Sequence, residues 1–213
     1  MQKATTTKWI ADTGAMAIVR AETIERSCEI AQGCLDGGID CLEISFTNSN
    51  AAEIIRALRI KFKDRLCVGA GTVLDSETAR IAVLAGAQFV IAPNLDEGTA
   101  VICNRYQIPY APGCTSVTEA VKGLECGAAF IKAFPISDFY GPGLISVFKT
   151  PIPFMPILAS GGITLDNLST YVKNGADCCG FGGLLTKGSA ADITANAKKI
   201  KTIIEETRLN KGL

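Results

Sequence analysis

Two charged residues stand inside short apolar runs that otherwise have the composition of buried strands: Lys132 in AAFIKAFP and Glu43 in CLEIS. Alternate side chains of a strand share a face, which would set Lys132 between Phe130 and Phe134. An apolar environment lowers the pKa of a lysine, and the neutral amine can then attack a carbonyl carbon to form a Schiff base. The alternative is a lysine whose methylene stem packs against the strand while its ammonium reaches water.

Glu43 would share its strand face with Cys41 and Ser45, and a buried carboxylate needs a partner. If Glu43 and Lys132 point into one site, they could divide proton transfer and covalent catalysis between them. Two other interpretations stay open: a structural ion pair, or a Glu43 side chain that faces the helices and meets a basic residue there. The chain has no histidine, so it lacks the commonest general base and metal ligand.

Three glycine-rich segments follow strand-like runs: GAGT at 69–72, ASGGI at 159–163 and GFGG at 180–183. Glycine leaves backbone N–H groups accessible to a phosphate, although glycines also serve in simple tight turns. Arg20 and Thr72 end the first and third runs, where a guanidinium could hold a carboxylate or phosphate and a hydroxyl could orient a substrate. Each could equally be an ordinary polar residue at the end of a strand.

The apolar runs recur at nearly even intervals along the chain. They are AIVR (17–20), CLEIS (41–45), LCVGAG (66–71), FVIAP (89–93), PYAPG (109–113), FIKAF (130–134), PILAS (156–160) and CCGFG (178–182). Segments with helical periodicity lie between them, as at Ile54, Leu58 and Phe62. A chain of 213 residues offers about 27 residues to each of eight strand–helix units, which predicts an α/β fold with residues 1–213 forming one TIM (β/α)8 barrel domain. Residues 1–14, including Trp9, are expected to form an extra helix over one end of the barrel, with the functional residues at the other end.

Polar residues that can cap helices precede several of the helical segments. Such residues accept hydrogen bonds from the free backbone N–H groups of a helix's first turn. Asp75 is expected to cap the helix after the third strand, and Ser116 with Glu119 has the spacing of a capping box. Asn50 with Glu53 is expected to act in the same way.

The composition is that of a globular protein, with 48% hydrophobic and 20% charged residues. The 21 basic residues balance the 21 acidic ones, so no positive surplus favours nucleic acid or an anionic membrane as a partner. No apolar run approaches the ~20 residues that cross a bilayer, and no signal peptide is evident at the N-terminus. The nine cysteines are expected to be reduced core thiols, which favours a cytoplasmic location.

The motifs LEISFT, VGAGTVL, FVIAPNL, PYAPGCTSVTEA, FIKAFP and ASGGI occur in this order between residues 17 and 187. Their combination resembles the 2-keto-3-deoxy-6-phosphogluconate/4-hydroxy-2-oxoglutarate aldolase family. The resemblance implies a class I, Schiff-base aldolase on a TIM barrel, a homotrimer that needs no metal or other cofactor. It assigns Lys132 as the Schiff-base lysine and Glu43 as the acid/base carboxylate.

The same resemblance implies the substrate and the residues that bind it. The substrate is expected to be 2-keto-3-deoxy-6-phosphogluconate, 4-hydroxy-2-oxoglutarate or both, cleaved to pyruvate and either glyceraldehyde 3-phosphate or glyoxylate. The positions expected to bind substrate are Arg20, Thr72, Pro93, Phe134, Ser160, Gly161 and Gly162. Those expected to bind its phosphate are Gly161, Gly162, Gly182 and Gly183.

Three positions depart from the family's pattern. Thr47 stands where many members have an arginine, which leaves Arg20 for that role, and Ser160 stands where threonine is usual. Gly183 stands where a phosphate-contacting serine is expected, and a lost hydroxyl donor costs ~1 kcal/mol. The alternatives are therefore an aldolase for another 2-keto-3-deoxy acid, such as the 6-phosphogalactonate epimer, a phosphosugar isomerase or epimerase that would not need Lys132, or a catalytically silent barrel.

Overall fold

The computed structural model describes residues 2–136 and 139–210 as a parallel β-barrel surrounded by helices. The strands are β1 (Ala15–Val19), β2 (Cys41–Ser45), β3 (Cys67–Gly71), β4 (Val90–Ile91), β5 (Tyr110–Ala111), β6 (Gly113–Cys114), β7 (Ile131–Ala133), β8 (Ile157–Ser160) and β9 (Cys178–Phe181). The helices are α1 (Gln2–Thr13), α2 (Ile24–Asp36), α3 (Ala51–Phe62), α4 (Ser76–Leu84), α5 (Glu97–Arg105), α6 (Val117–Glu125), α7 (Gly143–Lys149), α8 (Leu168–Lys173), α9 (Gly183–Thr186) and α10 (Ala190–Leu209). A short 3-10 helix, Lys63–Arg65, joins α3 to β3.

Strands β5 and β6 are two halves of one barrel strand, divided at Pro112. β5 pairs with β4, where Tyr110 lies opposite Val90, and β6 pairs with β7, where Gly113 lies opposite Lys132. Proline has no N–H to donate and therefore interrupts a ladder of hydrogen bonds. The order β5-β4-β3-β2-β1-β9-β8-β7-β6 thus brings the two halves of the fifth barrel strand together and confirms the predicted TIM (β/α)8 barrel.

Helix α1 covers the N-terminal ends of the strands, as predicted. Its Ile10 is 2% exposed and packs inside the barrel with Met16, Phe89 and Phe130, whereas Trp9 is half-buried at the edge of this cluster. Burying such a side chain contributes about 1.5–3 kcal/mol to folding. Met1, which the predicted helix includes, lies outside the described residues.

The helices pack their apolar faces against the outside of the barrel. In α3, Ile54, Leu58 and Phe62 recur at helical spacing and are all buried, as their periodicity predicts. These residues belong to the larger of two apolar clusters, which lies between strands and helices, while the smaller one fills the lower interior of the barrel. The barrel's upper interior is left for polar side chains.

The predicted helix caps are confirmed at two positions and wrong at a third. Asp75 accepts a hydrogen bond from the Thr78 N–H at 2.7 Å, and Ser116 with Glu119 forms a capping box. Asn50 precedes α3 but its side chain makes no capping bond, because its amide instead donates to the carbonyl of Glu22 at 2.7 Å.

All nine cysteines are free, and seven of them are buried. The expectation of unpaired core thiols is therefore confirmed for these seven, while Cys28 and Cys126 are half-buried. Within the two described ranges, no helix has the length and apolar character needed to cross a membrane.

Candidate active site

The candidate residues lie at the carboxyl ends of the strands, at the end of the barrel opposite α1. Arg20 directly follows β1, Glu43 lies in β2, Thr72 follows β3, Lys132 lies in β7 and Ser160 ends β8. Because the strands are all parallel, these positions meet around one mouth of the barrel. The remaining candidates follow the ends of β4, β7, β8 and β9: Pro93, Phe134, Gly161, Gly162, Gly182 and Gly183.

Lys132 is buried inside the upper part of the barrel, with only 6% of its surface exposed. Its backbone N–H donates to the carbonyl of Pro112 at 2.8 Å, and its Nζ lies 4.6 Å from the centre of the Phe134 ring. Burial lowers the pKa of Lys132; the negative charge of Glu43 opposes this effect and the positive charge of Arg20 adds to it. The contact with Phe134 predicted from the strand pattern is therefore present, and the burial of Lys132 favours the nucleophilic neutral amine.

Glu43 is buried beside it, with 1% of its surface exposed. Burial raises the pKa of this carboxyl group, while the charges of Lys132 and Arg20 act to lower it. Among the described residues, neither cation forms an ion pair with Glu43 within 4.0 Å, and Oε2 has no hydrogen-bond partner. The interpretation of Glu43 as half of a structural ion pair is therefore wrong, and its Oε2 is a buried oxygen without a hydrogen-bond partner among the described residues.

Gly71 makes the room that Glu43 occupies. A Cβ atom at position 71 would coincide with the carboxyl group of Glu43, which shows that this side chain points into the barrel and not toward the helices. Gly69 makes room in the same way for the ring of Phe89. Both glycines lie within β3, so the prediction that GAGT follows a strand is wrong for residues 69–71. Their spacing by two residues, which places them on one face of a strand, is the sequence signal that could have found this role.

Three hydroxyl groups meet where β2 and β3 end. Ser45 Oγ lies 3.0 Å from Thr72 Oγ1 and 3.0 Å from Thr47 Oγ1. Thr72 has a φ of 58°, a left-handed conformation that is uncommon outside glycine and concentrates at functional sites. Ser45 was not among the predicted substrate-binding residues, although its shared strand face with Glu43 pointed to the same interior. Together these hydroxyls can donate hydrogen bonds to a substrate carboxylate.

A cavity of about 360 Å³ opens at this mouth. Seven of the predicted binding residues line it: Arg20, Phe134, Ser160, Gly161, Gly162, Gly182 and Gly183. Gly161 and Gly162 have φ values of 107° and 65°, which a residue with a side chain rarely adopts. Phe134 connects the cavity to Lys132, because its ring borders the cavity and also contacts the ammonium.

Four of the candidates do not line this cavity: Glu43, Thr72, Lys132 and Pro93. Pro93 is half-buried. Its backbone lies where a Cβ atom at Gly113 would be, so the two strand ends approach closely only because position 113 is glycine. Gly113 is the register partner of Lys132, and Pro93 therefore borders the site through this contact.

A larger cavity, of about 560 Å³, lies at the opposite end of the barrel and contains none of these residues. Its basic side chains already have oxygen partners: Arg208 donates to the carbonyls of Ala11 and Asp177, and Lys149 lies 3.5 Å from the Asp177 carboxylate. Within residues 2–136 and 139–210, no group of three His, Cys, Asp or Glu side chains is arranged to hold a metal ion. The chemistry-bearing groups thus gather at the carboxyl ends of the strands.

Comparison with known proteins shows the family to which the chain belongs. The model of the KDPG and KHG aldolase family matches residues 7–203. The 2-dehydro-3-deoxy-phosphogluconate aldolase of Treponema pallidum is 37% identical over 157 residues, which cover 74% of each chain. The 2-dehydro-3-deoxy-6-phosphogalactonate aldolase of Escherichia coli is 30% identical over 190 residues, covering 88% of this chain and 92% of that protein.

A solved structure of the KDPG aldolase of Legionella pneumophila, with pyruvate captured at low pH as a covalent carbinolamine intermediate, has the same fold. It superimposes with a TM-score of 0.80 and 25% identity over 95% of this chain and 97% of that one. By its sequence, its fold and the match over most of its length, this chain belongs to the KDPG and KHG aldolase family and is an aldolase, a carbon–carbon lyase.

Proposed function

We propose that this protein is a class I aldolase that cleaves a 2-keto-3-deoxy-6-phospho sugar acid, 4-hydroxy-2-oxoglutarate or both through a Schiff base on Lys132. The observation that carries the proposal is the burial of a lysine, 6% exposed, and a glutamate, 1% exposed, inside the same end of one parallel barrel. Burial lowers the pKa of the lysine and raises the pKa of the glutamate, as expected of a nucleophile and a proton acceptor. The carbinolamine in the Legionella relative supports covalent chemistry of this kind.

The first step forms the covalent bond. The neutral Nζ of Lys132 attacks the C2 carbonyl carbon of the keto acid to give a carbinolamine, and loss of water gives an iminium ion. Burial lowers the pKa of Lys132 and so raises the fraction of neutral amine at a given pH. The nearby Arg20 acts in the same direction, while Glu43 limits the shift.

The second step breaks the bond between C3 and C4. The electron pair of this bond moves into the iminium group to give an enamine, and the proton of the C4 hydroxyl passes to the Glu43 carboxylate, directly or through water. The aldehyde leaves, the proton held by Glu43 passes to C3 of the enamine, directly or through water, and water hydrolyses the resulting iminium to free pyruvate and Lys132. Burial raises the pKa of Glu43, which makes its carboxylate a stronger base toward this proton.

The remaining polar groups would hold the two ends of the substrate. Arg20, Thr72 and Ser45 are suited to the carboxylate next to the keto group, because a guanidinium and hydroxyl groups all donate hydrogen bonds. The glycine segments at 161–162 and 182–183 are suited to the distal end, where their accessible N–H groups could bind a phosphate. One relative is named for the phosphogluconate keto acid and another for the 6-phosphogalactonate keto acid, its epimer at C4. The proposed substrates therefore include both epimers.

The proposal includes assembly as a homotrimer in the cytoplasm. Exposed apolar side chains on the adjacent helices α4 and α5, including Leu84 at 62% exposed and Val101 at 53%, would be covered in an oligomer. Nine free cysteines are typical of a reducing compartment. Sedimentation equilibrium tests the trimer: we expect three times the mass of one chain, and a monomer at all concentrations would exclude it.

The test of the reaction is release of pyruvate, followed through NADH oxidation by lactate dehydrogenase. The purified protein is given the 6-phosphogluconate and 6-phosphogalactonate keto acids and 4-hydroxy-2-oxoglutarate in separate assays, with Lys132→Met as the matched inactive control. We expect pyruvate from at least one substrate with the wild type and from none with Lys132→Met. No pyruvate from any of them with a folded wild-type protein would favour the silent barrel, and cleavage by Lys132→Met at the wild-type rate would exclude the Schiff base.

A further inference from the structure

The side chain of Lys187 lies against Gly183, at the edge of the candidate active site. A Cβ atom at position 183 would sit 3.5 Å from Lys187 Cδ and 3.6 Å from Cε. Nζ is one bond beyond Cε, which brings the ammonium within about 5 Å of that position. Gly183 itself lines the cavity at the barrel mouth, so Lys187 lies next to a residue of the cavity wall without being part of the wall itself.

The backbone that carries Lys187 is held on both sides. Arg26 of helix α2 donates to the carbonyl of Thr186 at 2.9 Å and to the carbonyl of Gly188 at 2.7 Å. The N–H of Lys187 donates to the carbonyl of Gly183 at 3.1 Å. These hydrogen bonds fix the backbone at Lys187, so only the side-chain torsions can vary.

The charges at the cavity fit an anion. The residues that line it include Arg20 and no aspartate or glutamate. In the part of the chain that the structure describes, the Lys187 side chain is exposed and forms no ion pair or hydrogen bond. Arg20 thus brings positive charge to the cavity wall from the end of β1, and the side chain of Lys187 lies beside Gly183 of the same wall, beyond β9.

We propose that Lys187 binds the distal anionic group of the substrate and makes this enzyme selective for keto acids that carry a phosphate at the end remote from the keto group. This inference rests on the proposed aldolase function and narrows its substrate class to the phosphorylated sugar acids. A hydrogen bond from an ammonium to a phosphate is stronger than one from a neutral hydroxyl, so Lys187 compensates for the missing hydroxyl at Gly183. The binding of an unphosphorylated aldehyde is not strengthened by Lys187, because it has no phosphate to accept this hydrogen bond.

The test uses the reverse reaction, in which pyruvate condenses with an aldehyde. The KM for glyceraldehyde 3-phosphate and the KM for unphosphorylated glyceraldehyde are compared in the wild type and in Lys187→Gln. We expect the first KM to rise by about tenfold and the second by less than twofold. In high salt the wild-type KM values for the two aldehydes should become more similar, because salt screens the exposed charge of Lys187.

Three further variants test the assignment to this residue. Lys199→Gln removes another exposed lysine, on helix α10, and should change neither KM. Lys187→Arg keeps the charge and should stay within about threefold of the wild type for both aldehydes. Gly183→Ser adds a hydroxyl, and a Cβ atom at position 183 would lie no closer than 3.5 Å to its neighbours. In the Lys187→Gln background this substitution should recover part of the lost affinity for the phosphorylated aldehyde.

Failure of this inference and failure of the aldolase proposal give different results. If the enzyme condenses both aldehydes and Lys187→Gln changes the two KM values equally or not at all, the role of Lys187 is excluded while the aldolase stands. If the wild type does not react with pyruvate, titration calorimetry with inorganic phosphate still decides the inference. Weaker binding to Lys187→Gln than to the wild type then supports the role of Lys187, and equal binding excludes it.

Discussion

The carboxyl group of Glu43 occupies the space that a Cβ atom would take at position 71, so Glu43 and Gly71 fit together only because residue 71 has no side chain. The backbone partner of Glu43 on β3 is Gly69, yet its carboxyl group lies over Gly71, two residues nearer the mouth of the barrel. The side chain therefore leans along the strands toward their carboxyl ends. Two residues of strand correspond to about 7 Å, so the acid lies nearer the barrel mouth than its own backbone register would place it.

Gly71→Ala should displace Glu43 from the site. We expect the kcat for pyruvate release to fall by about 100-fold or more, the contribution typical of a general acid or base. Lys132 should still form an adduct with pyruvate, because its own position does not depend on Gly71. Thermal unfolding monitored by circular dichroism establishes that the variant is folded.

Gly143→Ala is the matched control, since nothing lies within 4 Å of a Cβ atom at position 143. It should keep the wild-type kcat. A folded Gly71→Ala variant with unchanged kcat would show that the proton acceptor is not Glu43 in this position.

The pH dependence of adduct formation should move in opposite directions in Glu43→Gln and Arg20→Gln. Lys132 attacks as the neutral amine, so the rate rises with pH through the pKa of Lys132. The Glu43 carboxylate raises that pKa by stabilising the ammonium, and Arg20 lowers it by repelling the ammonium. Removing the carboxylate should therefore shift the midpoint to lower pH, and removing the guanidinium should shift it to higher pH.

The measurement is the initial rate of trapping of pyruvate by cyanoborohydride across pH in the three proteins. The direction of each midpoint is the readout, because both variants will also change the maximal rate. Midpoints that move in the same direction, or do not move, would contradict the placement of both charges around Lys132.

Ile10→Ala should weaken the fold without changing the chemistry. Ile10 is 2% exposed at the end of the barrel opposite the site, and truncating a buried isoleucine costs about 2–5 kcal/mol. We expect a lower midpoint of urea unfolding with kcat and KM within twofold of the wild type at a temperature where both proteins are folded. A large change in kcat at unchanged stability would mean that helix α1 contributes to the site.

The sequence predicts those features that depend on local pattern. The positions of Glu43 and Lys132 within strands follow from the apolar runs around them, and their meeting at one mouth follows from parallel strand order. The cap at Asp75 follows from contacts within one helical turn. Asn50 has a similar pattern but bonds to Glu22 in the loop before α2, a partner that only the folded chain brings near.

Features that depend on contacts between distant segments were missed. The role of Gly71 depends on a side chain from the neighbouring strand, and the bond from Ser45 to Thr72 joins two strand ends. The position of Lys187 beside Gly183 depends on anchoring of its backbone by Arg26, more than 150 residues away in sequence. Such contacts cannot be predicted from residue types and their spacing within one segment.

Reductive trapping tests the central claim most directly. The protein is incubated with pyruvate, reduced with borohydride and digested, and the modified peptide is located by mass spectrometry. We predict a single adduct on Lys132, with none in Lys132→Met and none when pyruvate is omitted. A folded wild-type protein that forms no adduct, or forms it on another lysine, would contradict the assignment of Lys132 as the Schiff-base residue.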